Sequence, residues 1–94
     1  MKTIADFKRR MVPGVLVNSE LYHKMGDGNF QLMQKHDKRT CQVSQSNSFA
    51  LTIPGTDNIS WCEWPKKDEF SVLDANTVKI DFGFGYLVYK FLTN

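Results

Sequence analysis

The stretch whose reading decides the fold is T-V-K-I-D-F-G-F-G-Y-L-V-Y-K-F-L, residues 77–92. Val78, Ile80 and Phe82 alternate with Thr77, Lys79 and Asp81, the period of two that marks a half-buried strand. Gly83-Phe84-Gly85 then turns the chain, since glycine accepts the positive φ that tight reversals need. Tyr86 to Leu92 is apolar on both faces save Lys90, which predicts a strand either covered on both sides or paired with a second subunit. The C-terminal region is therefore an antiparallel hairpin.

The same period extends upstream. Phe49, Leu51 and Ile53 alternate with Ala50 and Thr52, and Pro54-Gly55-Thr56-Asp57-Asn58 forms a loop. Ile59 to Trp64 is the next strand, stopped by Pro65, and Phe70 and Val72 open another that Asp74-Ala75-Asn76 reverses. Nearer the N-terminus, Val15-Leu16-Val17 starts a strand reaching about Tyr22, and Asp27-Gly28 within residues 25–29 turns it onto Phe30 and Leu32. The charged run Lys35-His36-Asp37-Lys38-Arg39 reads as a loop or hairpin tip before Cys41 and Val43, and residues 45–48 as a bulge or a turn.

Only the N-terminus departs from this pattern. Ile4, Phe7 and Met11 recur at helical spacing behind Thr3 as cap and Asp6 as the carboxylate of a capping box, and Val12-Pro13-Gly14 stops the helix. One short helix and six or seven short antiparallel strands define an α+β domain: a strongly bent sheet or a small SH3-like barrel with the helix over one open end. At 94 residues the chain forms a single domain, 1–94, with stability of about 5–10 kcal/mol.

Composition narrows the function classes. A net charge of +2 is too small to identify a nucleic-acid binder, although residues 1–40 hold eight Lys/Arg against four Asp/Glu. Two unpaired cysteines, no apolar leader and no long apolar run point to a cytoplasmic setting and no membrane. His23, His36, Cys41 and Cys62 lack the close pairing of metal ligands, and the acidic residues are scattered. These patterns predict no enzyme, metal or cofactor.

S-W-C-E-W-P-K-K, residues 60–67, carries the main binding expectation. Trp61 and Trp64 differ by an odd number, so a regular strand points them to opposite faces. Trp61 shares the phase of Ile59 and is expected in the core. Trp64 then lies outside and, with Lys66, Lys67 and Tyr22, forms the expected protein-binding surface. The alternative is direct nucleic-acid binding through Lys8, Arg9, Arg10, Lys35, Lys38 and Arg39. Homo-oligomerisation would use the C-terminal strand.

Thr3 to Met11 followed by Pro13-Gly14, then Gln45 to Leu51, Ser60 to Lys66 and Tyr89-Lys90-Phe91, together resemble small uncharacterised proteins of bacterial phages, plasmids and integrated elements. The resemblance implies a non-enzymatic module acting in a bacterial host by occluding a host or defence protein such as a CRISPR effector.

Overall fold

The computed structural model describes residues 1–92. Helix α1 (Ile4–Arg10) is followed by β1 (Leu16–Lys24), β2 (Phe30–Ser44), β3 (Ser48–Thr52), β4 (Ile59–Glu63), β5 (Phe70–Asp74), β6 (Thr77–Asp81) and β7 (Gly85–Phe91). All pairings are antiparallel, in the order β4-β3-β2-β1-β7-β6-β5. Every neighbour in the sheet is a neighbour in sequence except β1 and β7. The order is thus a ring with one opening, between β4 and β5.

The capping box forms as its residues predict: the Thr3 hydroxyl accepts from the Asp6 N–H, and the Asp6 carboxylate accepts from the Thr3 N–H. Phe7 and Met11 are fully buried. Phe7 is the hub of the core, its ring lying 6.0 Å from Phe49, 5.7 Å from Trp64, 5.7 Å from Phe70, 6.2 Å from Tyr89 and 5.9 Å from Phe91.

These contacts also measure the bend. Seven flat strands about 4.8 Å apart would hold β4 and β5 about 29 Å from each other. Phe7 nevertheless touches Trp64, one residue past β4, and Phe70, the first residue of β5. The sheet curls around the helix, open at β4 and β5, and the connection 64–69 crosses that opening.

Three expectations are corrected. The run Lys35–Arg39 is not a hairpin tip; it lies within β2, whose 15 residues pass from β1 to β3. The chain accommodates it with register irregularities, between Val17 and Ser19 and between Leu21 and Tyr22 of β1, and with Lys38 at φ 56°. The C-terminal strand β7 is central, flanked by β1 and β6, so neither of its edges can receive a second copy.

The third correction concerns the tryptophans. The opposite-face argument holds, but the faces are exchanged: Trp61 is 52% exposed and Ile59 39%, while Trp64 packs on the core. The interior beside β4 is already filled by Phe7, Phe49 and Tyr89, and admits only the small Ser60 and Cys62 from that strand. The large residues Ile59 and Trp61 consequently point outward.

Candidate functional site

The sequence-predicted binding residues separate into two regions and a structural set. Trp64 sits against Phe49 at 4.6 Å and Phe7 at 5.7 Å, and its Nε1 donates to the Gln45 carbonyl at 2.7 Å. Lys8 lies over the ring, 5.6 Å from its centroid. Trp64 is thus held by α1 and the β2–β3 turn, while Lys66 and Lys67 project from the connection beside it, both exposed.

Beside them runs a groove of about 430 Å³ lined by Lys2, Thr3, Ile4, Ala5, Lys67 and Phe70. Its floor is apolar and its rim carries two ammonium groups and no carboxylate. Three acids adjoin the lining residues in sequence, Asp6, Asp68 and Glu69, and none lines the groove: Asp6 is engaged by the Lys2 and Thr3 N–H groups and by Arg9, and Glu69 accepts from the Lys66 N–H. The bonds to Asp6 lower its pKa to about 2, the Lys2 amide contributing most.

Tyr22, the fourth predicted protein-binding residue, stands on the outer face of the curled sheet. Its ring stacks on Tyr86, its register partner, at 4.7 Å and 19°. Phe30 approaches Tyr86 at 5.0 Å, and the Lys79 ammonium lies 4.3 Å from the Tyr86 centroid. Burial first, then the charge of Glu20, raises the Tyr22 phenol above its ordinary pKa. Leu32, opposite Tyr22 in β2, extends this face.

The β6–β7 turn is pinned beside it. The Lys24 N–H donates to the Phe84 carbonyl at 2.8 Å, and a Cβ on Gly85 would sit 2.3 Å from the Tyr22 carbonyl oxygen. Only glycine permits this approach. Phe30 and Phe84 flank Lys24 from opposite sides, and Phe30, Leu32, Met33 and Phe84 are 43%, 44%, 49% and 68% exposed.

At roughly 150–200 Å² per side chain, the four together expose about 300–400 Å² of mostly apolar surface, Phe30 against Tyr86 and Phe84 against Phe82 and His23. From Phe30 to Asp37, β2 pairs with β1 alone among the described residues, so its other edge is open. This apolar end was not singled out from the sequence. Its signal was the continuation of large apolar residues through both phases of 30–33, in a hairpin with only one core face to fill.

The residues expected to bind nucleic acid do not converge. Arg39 is buried, with Nε donating to the Thr52 carbonyl at 2.9 Å and Nη1 to the Ser19 hydroxyl at 3.0 Å, and so is closed to a phosphate. Arg10 bonds the Ala75 carbonyl and Asn76 and lies over Phe91, and Arg9 is paired with Asp6. Lys8 belongs to Trp64. Lys35 lies on the outer face with Asn18, Glu20, Val88 and Lys90, and the Lys38 N–H donates to Asn18 Oδ1. The rings beside these residues are engaged too: Trp64 by Phe7, Phe49 and Lys8, and Tyr22 by Tyr86.

The remaining chemistry-bearing residues are dispersed. His23 pairs in register with Gln31 and Gly85, His36 with Ser19, Cys41 with Leu51 and Cys62 with Phe49. Both thiols are free, and burial pushes the Cys41 thiol above its usual pKa. Cys62 Sγ accepts from the buried Tyr89 hydroxyl at 3.4 Å. Among the described residues, no three such side chains group to hold a metal, and no helix is long and apolar enough to cross a membrane. No family model, curated protein or solved structure matches the chain.

Proposed function

We propose that this protein is a non-enzymatic binding module that engages a partner protein through the apolar end formed by Phe30, Leu32, Met33 and Phe84. The observation that carries this reading is the exposure of those four large side chains at one end of a small domain. Phe30 rests on the Tyr22–Tyr86 stack under Lys79, and Phe84 on Phe82 and His23. Apolar and aromatic anchors clustered on a preformed surface are what concentrates interface energy. The open edge of β2 beside them adds unpaired backbone groups that an extended partner segment can meet.

The partner belongs, in this reading, to the host or defence proteins of a bacterial cell, the class that the mobile-element resemblance suggests. Direct nucleic-acid binding is the less favoured reading because Arg39 and Arg10 are occupied within the fold.

Capture from a bacterial host lysate tests the proposal. The wild type should retain one protein in stoichiometric amount, and Leu32→Glu with Phe84→Glu should lose it while keeping the far-UV spectrum of the parent. Retention by the double variant would contradict the assignment. Nucleic-acid binding is checked by anisotropy with single- and double-stranded DNA and RNA at low salt, where no binding is expected.

A further inference from the structure

We infer that the groove between α1 and the β4–β5 connection is a second, independent docking site, which receives an apolar side chain from an acidic segment of a partner protein. It shares no residue with the apolar end. Its floor is built from Ile4, Ala5 and Phe70, and its rim from Lys2 and Lys67. At about 430 Å³ it is as large as many ligand sites. It is bounded only by the helix and the connection, however, which suits a protruding side chain better than an enclosed small molecule.

Charge complementarity identifies the rest of the occupant. The one ion pair among the described residues is Arg9 with Asp6, which leaves Lys2 and Lys67 without a carboxylate partner. Asp68 and Glu69 share the connection with Lys66 and Lys67, but neither lines the groove, and Glu69 accepts from the Lys66 backbone N–H, so the charged side chains at the groove itself are Lys2 and Lys67. The amides of Lys2, Thr3 and Asp6 are taken by the capping interactions. An anion at this groove is therefore recognised by side-chain ammonium groups rather than by the helix terminus. Carboxylates flanking an apolar anchor match this arrangement, the apolar group on the floor and the acids on the lysine rim.

The test uses the full chain and a fluorescein-labelled, amidated peptide, Gly-Glu-Asp-Phe-Asp-Glu-Gly, at low salt. Amide shifts mapped by NMR should move at residues 2–5 and 67–70, and Lys2→Glu with Lys67→Glu should weaken binding about tenfold. Ala5→Tyr, which fills the groove at an exposed helix position without changing charge, should weaken it as well. Replacing the peptide's phenylalanine with alanine should do the same. The inference is overturned if the peptide does not bind at millimolar concentration or shifts residues elsewhere. It also fails if the alanine peptide binds as well as the parent, which would reveal diffuse charge attraction. Because Phe30, Leu32, Met33 and Phe84 lie outside this groove, loss of capture in the Leu32→Glu, Phe84→Glu variant leaves this result unaffected.

Discussion

Replacing Trp64 with alanine should destabilise the fold by about 3 kcal/mol, whereas the same change at Trp61 should cost under ~1 kcal/mol. The indole of Trp64 packs against Phe7 and Phe49 and is partly covered. If about half of its ~200 Å² leaves water on folding, the loss is about 2.5 kcal/mol at ~25 cal/mol per Å². Its Nε1–H bond to the Gln45 carbonyl adds about 1 kcal/mol. Relaxation around the vacated site returns part of this sum. Trp61 is 52% exposed, so alanine there removes little buried surface. Urea unfolding followed by circular dichroism reads both changes. With a slope near ~1.2 kcal/mol per M, Trp64→Ala should lower the midpoint by about 2.5 M and Trp61→Ala by less than ~0.8 M. Trp64→Phe should fall between, keeping a ring and losing the N–H. A Trp61→Ala shift equal to or larger than that of Trp64→Ala would refute the assignment of faces in β4.

Three further outcomes follow from the same packing. Asp6 titrates at about 2 in the folded protein against 3.8 ordinarily, so its contribution is complete above that ordinary value and is lost as pH falls toward 2. Asp6→Asn should therefore flatten the decline of the melting temperature between pH 4 and 2, and an unchanged slope would contradict the cap. Arg39→Met should cost about 2–3 kcal/mol by leaving the Thr52 carbonyl and Ser19 hydroxyl without their donor, while Lys35→Met stays within ~0.5 kcal/mol by chemical denaturation. A thiol reagent should modify Cys62 in the native protein and Cys41 only after denaturant is added; equal native rates would show that Cys41 is not sealed in the core.

Much of the architecture is legible because a small domain must place nearly every apolar residue in phase. The alternations at 49–53 and 77–82, the capping pair Thr3 and Asp6, and the helical spacing of Phe7 and Met11 each act locally and each falls on its element, although Ala50 and Thr77, in the phase expected outward, are buried as well. What failed to be legible depended on contacts distant in sequence. Periodicity separates Trp61 from Trp64 but cannot tell which face meets the helix; that is decided by Phe7 arriving from the other end of the chain. The charged run 35–39 resembles a loop because nothing local reveals that Arg39 is covered and bonded to Thr52.

The binding surfaces show the same limit. Tyr22, expected at the protein-binding surface beside Trp64, stands instead on the outer face, stacked on Tyr86 and opposite Leu32. Phe30, Leu32 and Met33 share β2, and Phe84 reaches the same end only through the bond of the β6–β7 turn to Lys24, a contact between positions sixty residues apart. The groove likewise needs the curl that brings Phe70 and Lys67 against residues 2–5.

Site-specific photo-cross-linking in a bacterial host tests the central claim, that the apolar end is the partner surface, most directly. A photoreactive residue is placed at position 32 or 84 and, as the control, at the exposed position 47 in the β2–β3 turn, at the other end of β2. The account predicts one discrete protein adduct at positions 32 and 84 and none at 47. An adduct at 47 without one at 32 or 84, or none at any position, would contradict it.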